Sequence, residues 1–251
     1  MAQATFVQNA TLAKRSGIAY ISADVKDVSV KAITGSVANS SYSGINGTFF
    51  EKGSGVLLGM AVGKSGLPVK QDGSGARNGH PIDDERTRKR GTFFCYNPEG
   101  DSTGITCNEQ VVTYPSGSTL IKPIWINWAI GGLSLFLNQN LTPDAYYKKV
   151  DDVEQPGSIG YFGIAESNRR SRSVIGYKPS NKRIILAYIP NALPHECRNV
   201  LATLGCTAGV MLDSGSSSQI KGKVAGSASA INIGSSVSVY NMVAVTPTSW
   251  A

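Results

Sequence analysis

The sequence predicts an α+β fold: a strand-rich mixed sheet with a few helices, in a single domain covering 1–251. Two observations carry that expectation. Apolar segments rich in Val, Ile and Tyr recur with polar residues interleaved, as half-buried strands require. Only two segments combine helical spacing with helix start and stop signals. The 28 glycines are scattered without a Gly-X-Y period, which excludes collagen and fits a protein rich in turns. An apolar share of 41% excludes intrinsic disorder, and a chain of 251 residues can bury a substantial core. No apolar run approaches the roughly 18 to 20 residues of a membrane-crossing helix.

Taken in order, residues 17–22 and 25–33 read as strands. Asn46-Gly47 marks a tight turn before the aromatic pair Phe49-Phe50. Residues 56–62 form a short apolar segment broken by Gly59, and 71–90 reads as a long polar, exposed loop. Strands are expected over 91–96, 110–114 and 121–129, with Gly131-Gly132 interrupting before 133–137. A helix is expected over 142–150, where Thr142 supplies the N-cap and Pro143 the first helical position. Residues 174–177 and 183–189 pair as a hairpin through 178–182. The second helix covers 194–204, with Pro194 in its first turn, Glu196 complementing the dipole and Gly205 stopping it. Val210-Met211-Leu212 is a short buried strand, and 231–245 is again strand-like.

The net charge is +7, from 24 Lys+Arg against 17 Asp+Glu. The basic clusters at Arg86, Arg88, Lys89 and Arg90, and at Arg169, Arg170 and Arg172, carry no interleaved aromatics, so no nucleic-acid partner is expected. A smaller anion such as a phosphate needs fewer contacts. The four cysteines form no CxxC unit, so a structural zinc site is not expected. Cys95 and Cys107 bracket a turn-rich stretch suited to a hairpin disulfide. Along one helix, Cys197 and Cys206 would stand roughly 13 Å apart, beyond the reach of about 7 Å that a disulfide tolerates. They are either buried small hydrophobes or bonded elsewhere. Ala2-Gln3-Ala4 suits the start of a mature secreted chain, which places the protein in the extracellular space or cell envelope. A phage-encoded or cytoplasmic chain without a signal is the alternative.

The sharpest chemical signal is Asp213, at the end of a buried strand and ahead of Gly215, Ser216 and Ser217. A carboxylate there has a controlled environment, and small residues let a ligand approach the backbone. Arg172 and its neighbours suit an anionic substrate through paired donors. Both histidines, His80 and His195, lack a ligand or triad spacing. No metal or cofactor is expected; Asp83-Asp84-Glu85 is the one run suited to a hard divalent cation, and it reads more simply as a solvated loop.

Four segments in order are similar to the phosphodiester glycosidase domain, the family that includes N-acetylglucosamine-1-phosphodiester α-N-acetylglucosaminidase. They are Asn46-Gly47-Thr48-Phe49-Phe50, Ala129-Ile130-Gly131-Gly132, Arg172-Ser173-Val174-Ile175-Gly176, and 193–218, where Glu196, Leu204-Gly205 and Leu212-Asp213 fall at matching intervals. The resemblance spans about residues 20–220. Ser214 and Ser216 stand where the family has glycines, and Leu193 where it has a Ser or Thr N-cap. The resemblance implies hydrolysis of the bond between a sugar, N-acetylglucosamine in the family's best-known member, and the phosphate of a phosphodiester, within a cell-wall or surface polymer. It implies Asp213, Glu196 and Arg172 as catalytic residues. Asn46, Gly47, Gly131, Gly132, Gly215, Ser216 and Ser217 are the implied substrate contacts. A non-catalytic module binding sugar phosphates on the same scaffold is the alternative.

Overall fold

The computed structural model describes residues 3–50, 53, 55, 57–63, 69, 89–98, 104–113, 125–154 and 168–251. Along the chain these form β1 (Thr5–Leu12), β2 (Arg15–Asp24), β3 (Val28–Ala32), β4 (Ser43–Asn46), β5 (Ala61–Val62), β6 (Lys89–Tyr96), β7 (Thr106–Thr113) and β8 (Ile126–Ser134). Then follow α1 (Pro143–Glu154), β9 (Arg170–Lys178), β10 (Arg183–Ala192), α2 (Pro194–Thr203), β11 (Ala208–Met211), β12 (Gln219–Gly222), β13 (Ile231–Gly234) and β14 (Asn241–Val245). The larger sheet runs β1-β2-β10-β9-β11-β8-β6-β7, with β5 also on β8. The smaller runs β13-β12-β4-β14-β3.

Strands dominate, as expected, but the expected mixed sheet is corrected. Every ladder among the described residues is antiparallel, and only the isolated bridge Ala4–Trp250 is parallel. The reason lies in the two strand–helix–strand successions. β10 and β11, with α2 between them in sequence, run in the same direction but are separated by β9, which opposes both. β8 and β9, with α1 between them in sequence, likewise run in the same direction with β11 between them. The crossover that makes parallel neighbours elsewhere here skips a strand.

Alternation along β10 explains the layering. Ile184 and Leu186 join a core between the two sheets, with Ile175, Val210, Ile45, Ile220 and Val243. Ile185, Ala187 and Ile189 face the helices, with Tyr146, Val150, Val200 and Leu201. A strand covered on both faces shows apolar residues at every position instead of a half-polar period.

The expected hairpin of 174–177 with 183–189 is present as β9–β10, and the turn holds Lys182 at φ 52°. Thr142 caps α1, its hydroxyl accepting from the Ala145 N–H at 3.3 Å. At the end of α2, Gly205 (φ +84°) donates to the Ala202 carbonyl and Cys206 to the Leu201 carbonyl, the paired bonds of a glycine-terminated helix. Two readings are corrected. Gly131-Gly132 do not interrupt a strand but lie inside β8, where strands need tolerate only a missing side chain. Cys206 lies beyond α2, not on it. β1 escapes the alternation pattern because Asn9, at φ 52°, sits where the β1–β2 register shifts.

Cys95 and Cys107 face each other across β6 and β7 and form the disulfide. Cys197 and Cys206 are free and buried, and burial pushes both thiols up to about 12, so they pack as small hydrophobes. The bridge closes a loop with a sequence separation of 12. Replacing both partners by alanine is expected to cost about 2–4 kcal/mol in denaturant unfolding. An unchanged midpoint would show that the β6–β7 ladder alone holds this hairpin.

Candidate active site

Asp213 is placed by the end of β11. The strand's Val210 and Met211 are buried, and Leu212 N–H still bonds the Ser173 carbonyl of β9 at 2.8 Å. At the next residue the chain leaves the larger sheet: Asp213 N–H donates to the Gly47 carbonyl, 3.1 Å away, at the end of β4 in the smaller sheet. Continuing the β11 registers would set Asp213 between Gly131 of β8 and Arg172 of β9. The residue keeps partial exposure while its carboxyl is enclosed. Burial raises that carboxyl to about 6, opposed by hydrogen bonds from the Ser217 hydroxyl and the Ser214 N–H, the latter at 2.8 Å.

Asn46 holds this corner together. It is 1% exposed, and its Oδ1 accepts from Ser173 Oγ at 2.7 Å and from Gln219 N–H at 3.0 Å. Its Nδ2 donates to the Asp213 carbonyl at 2.8 Å. One side-chain amide thus ties β9, β12 and the Asp213 loop, using both its donor and its acceptor ends. These bonds fix the plane of the amide and hold it against the Asp213 loop. Asn46→Ala leaves those buried groups unpaired and is expected to cost about 2–3 kcal/mol in chemical denaturation. A loss below a few tenths of that would show that water replaces the amide.

The glycines serve close approach. The expected tight turn at Asn46-Gly47 is corrected: Asn46 ends β4 and Gly47 has no positive φ. A Cβ on Gly47 would fall on Asn241 Oδ1, which accepts from Thr48 N–H at 2.9 Å. On Gly131 it would enter the Gly59–Met60 backbone, and on Gly132 it would strike the Met211 carbonyl. Gly132 sets how closely β8 packs beside the Asp213 strand, and Gly131 how closely it packs against residues 59–60. Gly215 begins the 3-10 turn over 215–217 at φ +71°. Ser217 is buried with its hydroxyl on Asp213, while Ser216 is exposed and its carbonyl accepts from Ser235 Oγ. Ser214 Oγ bonds back to the Leu212 carbonyl at 2.9 Å, so its side chain is held against its own backbone.

Arg172 and Glu196 lie in a second group, at the start of α2. Arg172 is fully buried; Nε donates to the Ala192 carbonyl at 3.0 Å and Nη2 to that of Asn168 at 2.7 Å. Burial lowers its pKa. Glu196 accepts a paired contact from Arg169, at 2.9 and 3.0 Å, an ion pair from Arg15 at 2.9 Å, and the Leu193 N–H at 2.8 Å. Burial alone would raise its pKa, but Arg169, the Leu193 N–H and Arg15 together hold it below the usual range. Leucine has no side-chain acceptor, so at the helix start only the Glu196 half of a capping box exists. His195 Nδ1 meets the Tyr147 hydroxyl at 3.1 Å.

Ser173, Gln219 and Asn241, which fix the corner, carry no signal in the sequence, because nothing in a lone Ser, Gln or Asn marks a partner about a hundred or more residues away. His80, Asp83, Asp84 and Glu85 lie outside the described residues. Among the described residues no group of three His, Cys, Asp or Glu is placed to hold a metal. Nor is any helix among them long and apolar enough to cross a membrane.

No known sequence family and no curated protein sequence matches this chain. Solved structures do. The catalytic domain of zebrafish N-acetylglucosamine-1-phosphodiester alpha-N-acetylglucosaminidase, auto-inhibited by its pro-peptide, superposes with a TM-score of 0.60. The match covers 91% of this chain and 76% of that one, at 13% identity. The likeness is one of fold. A hypothetical protein from Synechocystis matches with a TM-score of 0.49 at 15% identity, covering 96% of this chain and 60% of that one. A protein of Burkholderia pseudomallei K96243 gives 0.48 at 12% identity, covering 92% and 74%.

Proposed function

We propose that this chain is a hydrolase that cleaves the glycosidic bond between a sugar, N-acetylglucosamine in the first instance, and the phosphate of a phosphodiester. The observation that carries the reading is the Asp213 carboxyl, raised to about 6 and held by Ser214 and Ser217 where the two sheets meet. The fold shared with the zebrafish glycosidase supports it. So does Ser214, whose hydroxyl is bonded to the Leu212 carbonyl rather than to the Asp213 carboxyl.

The chemistry asks little general-acid help, because a phosphate is already a good leaving group. In the proposed step a water attacks the anomeric carbon and the C–O bond to phosphate breaks. The electron pair leaves with the phosphate monoester, and the Asp213 carboxylate takes the proton of the attacking water. A base titrating near 6 is ionised at neutral pH and still basic enough to do this. Asn46 acts through Asp213 as a positioning residue. Arg172 and Glu196 hold the β9 end and the start of α2 in place. Gly215 leaves room for the sugar, Gly131 and Gly132 let neighbouring backbone pack against β8 beside the site, Gly47 is packed beneath and Ser216 lies at the rim. We place the protein outside the cytoplasm, where the Cys95–Cys107 bridge persists, acting as one domain on glycosyl phosphodiesters of wall or surface polymers.

The deciding experiment incubates the protein with a synthetic N-acetylglucosamine-1-phosphodiester and measures free reducing sugar. Release by the wild type is expected. Saturable binding without release would instead make it a sugar-phosphate binding module.

A further inference from the structure

We infer that Arg170, rather than the buried Arg172, is the residue that grips the substrate's phosphate, in an anion subsite over the turn that follows Asp213; this rests on the glycosyl-phosphodiester reading above. The two arginines sit two positions apart on β9 and so share a face, but their surroundings differ. Arg172 is fully enclosed, and its Nε and Nη2 are already given to the Ala192 and Asn168 carbonyls. Its Nη1 is enclosed as well, so an anion has no open path to the guanidinium. Arg170 lies at the strand's end and is partly exposed.

Among the described residues the single side-chain hydrogen bond of Arg170 is Nε to Asn168 Oδ1, at 2.6 Å. That bond fixes the plane of the guanidinium and leaves the two terminal nitrogens, the edge that pairs with phosphate oxygens, uncommitted. The side chain reaches across to the Asp213 loop: its Cδ and Nη1 stand 3.5 and 3.8 Å from where a Cβ on Gly215 would be. Those are contact distances, so the guanidinium lies directly against the Gly215 turn, where φ +71° favours glycine. The neighbouring cations add to the field. Arg15 and Arg169 share the one carboxylate of Glu196, so the cluster at this edge stays positive. A phosphate on Arg170 would lie beside the turn carrying Asp213, which places the bond to be broken next to the proposed base.

The test titrates inorganic phosphate into the intact protein by calorimetry, with Arg170→Gln and Arg169→Gln as variants and thermal melts to verify folding. Wild type is expected to bind phosphate. Arg170→Gln should weaken binding about tenfold or more, and Arg169→Gln less than about threefold. Arg170→Lys, which keeps the charge but not the fork, should fall between them. With the phosphodiester substrate, Arg170→Gln should raise KM by a similar factor while kcat moves less. No phosphate binding by wild type, or equal losses in both glutamine variants, would overturn the subsite. The outcomes separate from the reading it rests on. Phosphate binding that depends on Arg170 without sugar release removes the glycosidase and leaves the subsite. Sugar release indifferent to Arg170 does the reverse.

Discussion

Asp213→Asn is expected to lower kcat/KM on a sugar-1-phosphodiester by about 10²–10⁴-fold, the range that a positioned general base contributes. The substitution is close to isosteric, and the amide oxygen can still accept the Ser214 N–H. Stability should therefore survive it. The sign of the linkage favours the variant: burial raises the carboxyl from 3.8 to about 6, so ionising it above that pH costs the folded state. That cost is on the order of 3 kcal/mol for a group so enclosed. An asparagine carries no such charge, and at pH 8 the variant's Tm should equal or exceed that of wild type. A more stable but inactive protein is the signature of a group kept for chemistry.

The same carboxyl sets the pH profile. As a base it must be ionised, so kcat/KM of the wild type should fall as pH drops through about 6. The rising limb should be missing from whatever activity Asp213→Asn retains. A folded variant within tenfold of wild type would sink the assignment, and so would a profile flat between pH 5 and 7.

Why Asp213 was legible in the sequence and Arg170 was not follows from what each signal depends on. Val210-Met211-Leu212 followed by Asp213 and small residues is a local pattern, and a buried strand must end somewhere near its polar residue. Arg170 and Arg172 stand in one basic tetrapeptide with identical chemistry. Only depth along β9 separates them, and depth is set by the far end of β10, by α2 and by the Asp213 loop, all of them distant from 169–172 in sequence. Asn46 shows a third case. Its motif is visible, but its role as a three-way tie depends on Ser173 and Gln219, which arrive from other strands. Strands were legible wherever alternation was clean. β8 was split in the reading because Gly131-Gly132 look like a break, whereas their missing side chains admit the Gly59–Met60 backbone and the Met211 carbonyl. The helix starts were closer, since caps act within one turn, whereas α1 runs to Glu154, past the expected end at 150.

Lowering the pH from 8 to 5 is expected to stabilise the protein, by on the order of 4 kcal/mol, through two enclosed carboxyls remote from Asp213 in sequence. Glu154, at the end of α1, accepts the Gly91 N–H at 2.8 Å and the Ser134 N–H at 2.9 Å. Glu109, on β7, accepts the Phe136 N–H at 3.0 Å and the Gly209 N–H at 3.2 Å. Burial raises each from 4.5 to about 7, and each charge opposes the other's ionisation; the backbone N–H groups, the Ser134 hydroxyl beside both, and Arg90 near Glu154 pull the other way. Tyr146 feels both charges, and Arg198 feels that of Glu109. Because the folded state holds these protons more tightly than the unfolded chain, the stabilisation is complete below about 4.5 and is lost as pH rises through about 7. Asp213 adds in the same direction up to about 6. Glu196, lowered by its arginines, acts oppositely but from a more exposed position where solvent screens the effect. Calorimetric Tm values between pH 5 and 8 check the sum, and Glu154→Gln isolates the pair. Glutamine carries no charge, so the variant should lose stability at pH 5, where it gives up an acceptor, and lose less or gain at pH 8, flattening the slope. A wild-type Tm that rises from pH 5 to 8 would mean that these carboxyls are ionised and well solvated in the fold. An unchanged slope in Glu154→Gln would place the titration in other groups.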